Sequence, residues 1–381
     1  MTYDIIVSGL GCAGFSFMYY LLSSPLKDQK ILCIDSSKKD QNDRTWCYWS
    51  EDKLDIHPNQ SDLVSWKSLK LEGNIQSNIS LNKFSYFHIK SSDFYKEMRA
   101  RIAFNSNITF VNEVIQSVEK SNSGSYIFTT KSNATFEGTT VINSIPQILS
   151  PFPEKVMKQE FVGWKIKTKS EYFDPKQMVL MDFEENTQNI PFSFFYILPY
   201  SKSEALVEYT TYTKTGVNIE EMKNTLKRYI EKKFSGDFVI TFEESGAIPM
   251  STKDFTNSDD PNWINVGTIG GCTKPSTGYT FHTIQKHSKM IVDGLSFGRN
   301  KTKLSWNRAN RFRFYDNILL NIAAKWPDKL PAIFQEMFSK NSGDQVLKFL
   351  NEETRFLEEF NILRKLSFGI FIKSLWNYEK H

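Results

Sequence analysis

The sequence is short of most features that would make a protein membrane-spanning, metal-binding or nucleic-acid-binding. No apolar run reaches the ~18 residues a helix needs to cross a bilayer. The chain opens directly on a strand pattern, without the charged-then-apolar layout of a secretory leader, so a cytoplasmic protein is expected. Only four cysteines occur, Cys12, Cys33, Cys47 and Cys272, and none forms Cys-x-x-Cys. That spacing excludes a zinc ribbon or a dense disulfide framework and fits buried, reduced thiols. The five histidines make no ligand pattern, so no metal is expected. A net charge of +4, spread along the chain and without a basic block, excludes nucleic acid as a partner. There is no internal repeat and no low-complexity linker.

What is present begins at residue 3. Tyr3 to Val7 reads as a short buried strand, followed by Gly9, Gly11 and Gly14 in a G-x-G-x-x-G pattern. Phe15 to Leu22 continues as a helix, and Lys30 to Ile34 is a second buried strand ending on Asp35. In this strand–turn–helix–strand context the pattern is a dinucleotide-binding fingerprint. The glycines let the backbone approach a pyrophosphate, the helix N-terminus supplies unpaired N–H groups, and Asp35 is placed for an adenosine ribose. Just beyond it, Asn42 to Trp49 is a dense polar-aromatic loop in which Arg44 suits a phosphate and Trp46 and Trp49 suit pocket walls. With 31 Phe among 381 residues, either a Phe-rich core or an aromatic-lined pocket is expected, and composition leaves both open.

The fold expected is α/β, a two-dinucleotide-binding Rossmann-like domain with an inserted antiparallel sheet and a helical C-terminal region. Residues 1–150 would form the first part of the nucleotide domain, 151–248 the inserted sheet, 249–300 a return segment and 301–381 the helices. Within this frame Ser92 caps a helix to Ala103, and Phe110 to Glu119 is one strand. Strands near Phe194–Leu198 and Ala205–Tyr212 meet at a Ser201–Ser203 turn, and Glu220 to Phe234 is an amphipathic helix. In the return segment Trp263 to Val266 is a strand, Gly267 to Gly271 a Gly-rich turn, and Ser276-Thr277-Gly278 starts a helix to about Leu295. The last stretch, Lys365 to Trp376, mixes apolar and cationic residues and suits either core or a membrane surface.

Three acids interrupt apolar strand text: Asp182, Glu208 and Glu244. Alternation puts Glu208 on one face with Leu206 and Thr210. If that face is inward, burial favours the protonated carboxyl, which is what proton donation to a weakly basic substrate requires. The opposite reading, a sheet-edge acid facing solvent, is equally open for each acid alone.

Taken together, Asn42–Trp46, Met181–Phe183, Phe195–Pro199, Leu206–Thr210, Glu244–Met250, Gly267–Tyr279 and Arg311–Asp316 make the chain resemble the bacterial lycopene β-cyclases, over nearly its whole length and in order. The resemblance implies bound FAD, active when reduced, with NAD(P)H as reductant. It implies a redox-neutral, acid-catalysed closure of the ψ-ends of lycopene to β-ionone rings through a carbocation, via γ-carotene to β-carotene. It implies Glu208 as the essential acid, Glu244 as second choice and Asp182 as third. FAD would be held by Gly9, Gly11, Gly14, Asp35, Arg44, Gly270, Gly271, Thr277 and Gly278. Trp164, Phe195, Tyr196 and Tyr209 would wall the substrate, since aromatic faces suit a cation. Lycopene and related carotenoids dissolve only in membranes, so peripheral docking on the cytoplasmic membrane is implied. Where plant relatives carry two adjacent acids, Tyr209 follows Glu208 here. A flavin hydroxylase of the same fold is the first alternative, and the Gly267-Thr268 pair departs from its usual Gly-Asp. An isoprenoid reductase and a non-enzymatic carotenoid-binding protein are the others.

Overall fold

The computed structural model describes residues 2–59, 62–73, 76–146, 156–183, 192–253, 260–298 and 304–381. The expected boundaries at 150/151 and 300/301 lie outside the described residues.

The first layer is a seven-stranded sheet. Strand β1 (Thr2–Ser8) lies between β2 (Ile31–Asp35) and β11 (Thr135–Asn143), with β8 (Ile108–Asn112) beyond β2; all these pairs are parallel. Strand β17 (Trp263–Asn265) also joins β11 in parallel, while β10 (Tyr126–Thr130) and β9 (Ile115–Lys120) extend that side antiparallel. Strand β2 is buried at every residue, as the uninterrupted apolar text of a two-sided parallel strand requires. Helices α1 (Cys12–Leu22), α2 (Ser91–Ala103) and α4 (Phe281–Ser296) share one core with that sheet.

The second layer is another seven-stranded sheet, in the order β16 (Phe238–Met250), β12 (Met157–Thr168), β15 (Glu204–Thr213), β14 (Ser193–Pro199), β13 (Gln177–Asp182), β5 (Ser68–Glu72) and β6 (Ser77–Ser80). It is antiparallel except where β13 meets β5. Helix α3 (Ile219–Lys233) covers one face, burying Met222, Leu226, Tyr229 and Ile230 at helical spacing. A small sheet of β3 (Thr45–Ser50), β7 (Ser85–Lys90) and β4 (Val64–Trp66) joins the layers. Five helices complete the chain: α5 (Asn310–Lys325), α6 (Leu330–Ser339), α7 (Gly343–Leu350), α8 (Phe356–Leu363) and α9 (Phe368–Trp376).

The structure departs from the sequence reading at several joints. The polar-aromatic loop becomes β3 from Thr45 onward. Helix α2 has no side-chain cap; Ser92 does not provide one, and Ser91 Oγ instead accepts the N–H groups of Asp43 (2.9 Å) and Arg44 (3.0 Å). The single strand expected over 110–119 is two, β8 and β9. The β5–β6 hairpin leaves the nucleotide-binding half to join the second sheet, and β16 runs through residue 248 without a break. Helix α4 starts at Phe281 rather than Ser276, because Thr277 and Gly278 turn back to the Lys274 carbonyl and Gly278 has φ +76°.

At the β1–α1 joint the glycine pattern is a packing requirement. A Cβ on Gly14 would lie 2.0 Å from the Gly9 carbonyl oxygen, so the helix can approach the loop this closely only without a side chain. Beside Gly11, in contrast, nothing lies within 4 Å. Gly14→Ala is therefore expected to lower the thermal midpoint by several degrees, while Gly11→Ala leaves it nearly unchanged; thermal unfolding of the two variants followed by circular dichroism checks the contrast.

Candidate active site

Between the two large sheets lies a cavity of about 540 Å³. Its floor is the second sheet's other face. Gln159 and Phe161 come from β12, Phe194 and Tyr196 from β14, Leu206, Glu208 and Tyr212 from β15, and Glu244, Gly246 and Ile248 from β16. Its roof comes from the first glycine loop, β3, Tyr86 of β7 and the 267–281 segment. Helices α6 and α7 close one end with Phe334, Met337, Phe338, Leu347 and Leu350.

Both glycine loops reach this space. Gly11 lines it, with Cys12 and Ala13 at the open N-terminus of α1, a helix with neither a side-chain cap nor an acid in its first turn. That is a ready anion site. Gly267, Thr268, Thr277 and Gly278 line it from the second loop, and Arg44 from β3's approach. Gly267 (φ +70°) packs where a Cβ would meet Ala13 Cβ at 2.8 Å, which joins the second loop to the first. Gly270 and Gly271 do not line the cavity; their N–H groups bond to Gly267 O and Thr268 O and shape the turn. Gly9 and Gly14 likewise act from behind. Asp35 accepts Leu10 N–H on one oxygen (2.6 Å) and Ser37 N–H on the other (2.7 Å), bracing the loop. Three buried polar atoms of the cavity lining, Gln159 Oε1, Thr277 Oγ1 and Glu244 Oε1, have no protein partner. Such atoms, together with the open backbone at Gly11, fit a flat heteroaromatic dinucleotide with hydrogen-bonding edges.

The acids lie on one row across three strands. Glu208 of β15 and Glu244 of β16 both stand opposite Gly163 of β12. A Cβ at Gly163 would lie 3.2 Å from Glu244 Cγ and 3.6 Å from Glu208 Cβ, so the glycine leaves both side chains room to lean over it. Glu208 lies deep in the protein, its remaining accessible surface facing the cavity. Burial first, then the neighbouring Glu244, push its carboxyl up to about 8, against the opposing bond from Thr210 Oγ1 (2.8 Å). Glu244 is also raised by burial, opposed by Thr45 N–H, which donates to its Oε2 at 2.8 Å; its Oε1 has no partner.

Beside this pair the cavity wall is aromatic. Tyr196 Oη lies 2.9 Å from Tyr86 Oη and 3.4 Å from Cys47 Sγ, and Tyr86 Oη lies 2.6 Å from Tyr279 Oη. Trp49 stacks on Tyr86 (5.8 Å, 26°), meets Tyr279 edge-on (4.4 Å), and donates its indole N–H to Leu347 O. Burial holds all three phenols protonated and pushes the Cys47 thiol up to about 12.

Three of the four expected wall residues are elsewhere. Tyr196 lines the cavity, but Trp164, Phe195 and Tyr209 belong to the core beneath α3, where Phe195 stacks on Tyr229 at 3.6 Å. Strand parity is the reason: Phe195 and Tyr209 adjoin the cavity-facing Tyr196 and Glu208, and neighbours on a strand face opposite ways. Asp182 moves with them. It is fully buried, pairs with Lys233 and accepts the Tyr229 hydroxyl (2.5 Å), so it braces the sheet against α3 and does not reach the cavity. Missed altogether were Gly163, Gln159, Cys47 and Tyr86. Alternation along β3 from Trp49 would have found Cys47; the others have no local signal.

The match to known proteins now decides the family. The lycopene cyclase protein family matches residues 4–375. This chain belongs to the lycopene cyclase family. Among curated proteins none matches the sequence. Solved structures share the fold of this lycopene cyclase family member at low identity. A geranylgeranyl bacteriochlorophyll reductase-like protein from Thermoplasma acidophilum is 15% identical with TM-score 0.63, covering 99% of both chains. A flavoprotein/dehydrogenase from Cytophaga hutchinsonii is 14% identical with TM-score 0.65, covering 99% of this chain and 100% of its own. The flavin-dependent brominase Bmp2 is 11% identical with TM-score 0.63, again over 99% of both. These likenesses establish the Rossmann-like α/β architecture with its helical C-terminal region.

The placement of Asp182 separates structure from chemistry in this family member. Asp182→Ala leaves Lys233 with Glu72 as its remaining partner and is expected to cost roughly 2 to 3 kcal/mol of stability while flavin content stays unchanged. Denaturant unfolding alongside the flavin absorbance of the purified variant checks this; loss of flavin with stability intact would assign Asp182 to the site after all.

Proposed function

We propose that this protein is a lycopene β-cyclase that uses Glu208 as its proton donor. The observation that carries the reading is the position of Glu208 on the lining of a largely apolar cavity, across Gly163 from a second carboxyl and with four aromatic rings around it; burial pushes its carboxyl up to about 8. A hydrocarbon offers no polar handle, so its binding energy comes from apolar burial, roughly 25 cal/mol per Å². Phe161, Phe194, Leu206 and the side chains of α6 and α7 provide that surface.

Glu208 protonates the terminal double bond of an acyclic end, which leaves a tertiary carbocation. The faces of Trp49, Tyr86, Tyr196 and Tyr279 stabilise that charge through their ring quadrupoles. The nearby double bond then attacks and closes the ring. Glu244, raised by burial and therefore a better proton acceptor once ionised, accepts on its unpartnered Oε1 the proton that leaves as the ring alkene forms, and the Thr45 N–H offsets part of that burial. One proton enters and one leaves, so the reaction is an isomerisation with no net redox change. Gly11, Arg44, Gly267, Thr277 and Gly278 would hold FAD, which, when reduced by NAD(P)H, would supply negative charge to the site. Lycopene and related carotenoids as substrates imply work at a membrane surface, on its cytoplasmic side; among the described residues no helix is long and apolar enough to cross a membrane.

A reductase of the same fold is the reading to set against this one. Expression in a lycopene-accumulating bacterium separates them by product: cyclised carotene supports the cyclase, a saturated product the reductase, and unchanged lycopene with folded, flavin-loaded protein refutes both. Glu208→Gln is expected to retain flavin and lower cyclisation at least a hundredfold; retained activity would refute its role as the acid.

The pH dependence follows from the same group. Activity falls as pH rises through about 8, where Glu208 loses its proton. Stability moves the same way. A carboxyl whose folded value is raised from 4.5 to about 8 binds more protons folded than unfolded, so the wild type loses stability as pH rises through that window. Glu208→Gln removes this slope, and its unfolding midpoint relative to wild type should be higher at pH 8 than at pH 5.

A further inference from the structure

Helices α8 and α9 carry large apolar side chains on the face turned away from the protein. On α9, Phe368, Ile372, Leu375 and Trp376 recur at helical spacing and point outward, with Trp376 87% exposed. The side facing the protein carries Ile370 and Phe371 together with the polar Ser374. Ser374 is fully buried and takes the Asn321 amide of α5 (3.0 Å), and Ser367 at the N-terminus bonds to Glu336 of α6 (2.5 and 2.8 Å). On α8, Phe356, Leu357 and Phe360 are outward, Leu357 73% exposed, while Ile362 and Glu359 are buried. Seven large apolar side chains exposed over two consecutive helices are more than scattered surface apolarity.

The charges around these helices select the partner. Arg355, Arg364, Lys365, Lys373 and Lys380 are exposed around them. The outward acids are already matched, Glu358 by Lys348 and Glu379 by Lys325, both at 2.7 Å. A cationic fringe around an apolar face, with Trp376 and Tyr378 at one end, is the pattern of a helix lying in the headgroup region of an anionic leaflet. A second copy fits worse, because a two-fold contact would set this cationic fringe against itself.

We propose that the outward face of α8 and α9 seats this protein on an anionic lipid surface. α8 packs through Ile362 and Leu363, the turn after it through Leu366, and α9 through Ile370 and Phe371, on the same core as the cavity-lining Phe334, Met337, Phe338 and Leu347. The seat and the cavity therefore share one block of helices. The choice of lipid over protein rests partly on reading the cavity as a hydrocarbon site.

The test is flotation of the full chain with carotenoid-free vesicles of equal phosphatidylglycerol and phosphatidylcholine, against vesicles of phosphatidylcholine alone. Wild type should float with the anionic vesicles and be released by raised salt. The double variant Leu357→Ser/Trp376→Ser, at exposed positions, should bind at least tenfold more weakly with an unchanged melting curve. It should also cyclise lycopene from detergent micelles at the wild-type rate but lycopene from vesicles much more slowly. Wild type that stays with the lipid-free fraction overturns the proposal, as does a double variant that floats equally well. A wild-type dimer that the same substitutions dissociate overturns it in favour of a self-interface. Flotation is read without carotenoid, so it stands or fails separately from the cyclase reading.

Discussion

A carboxyl buried beside another carboxyl is tolerable to the fold only while at least one of them is neutral. Glu208 and Glu244 meet this condition on either side of Gly163, whose missing side chain relieves a close contact with both acids on the floor of the sheet. Transfer of an ionised carboxylate into such a place costs far more than transfer of the acid, so the protein keeps a proton at Glu208 at a pH where an exposed glutamate has lost it. The site's capacity to act as an acid is a consequence of that desolvation. Any change that lets water reach Glu208 weakens the acid without touching it.

The rest of the molecule is arranged to keep this pair enclosed. The acids come from the second sheet, yet the contacts that orient their surroundings come from other layers. Thr45 of β3 donates its N–H to Glu244, Tyr86 of β7 bonds to Tyr196 of β14 and to Tyr279 of the second glycine segment, and Trp49 reaches across to Leu347 of α7. The small β3–β7–β4 sheet is thus the clamp between the nucleotide-binding layer and the floor. On the far side of the floor, α3 and the Asp182–Lys233–Tyr229 group hold the sheet rigid, which keeps the spacing of Glu208, Gly163 and Glu244 constant.

Much of this was legible because it is local. The first glycine loop announces itself, since a strand, a tight turn and a helix within a dozen residues must be written in adjacent text. Glu208 was visible as an acid amid Leu206, Val207 and Tyr209 in an otherwise apolar strand. Helix α3 followed from its periodicity, and the β14–β15 hairpin from its serine turn. The errors were of parity and partnership. Choosing Phe195 and Tyr209 for the same wall as Tyr196 and Glu208 ignored that one residue along a strand reverses the face. Asp182 looked catalytic because its partner, Lys233, lies 51 residues away on another element.

The sequence by itself determined the kind of fold, the two glycine loops and the presence of an acid at Glu208 within an apolar strand, because each depends on backbone conformations and alternations encoded within a few residues. Only the tertiary structure decided which aromatic residues surround Glu208, that Gly163 separates two carboxyls, and that α8 and α9 leave Leu357 and Trp376 exposed. Those outcomes depend on desolvation and on contacts between segments far apart in the chain, and neither is a property of any short stretch of text.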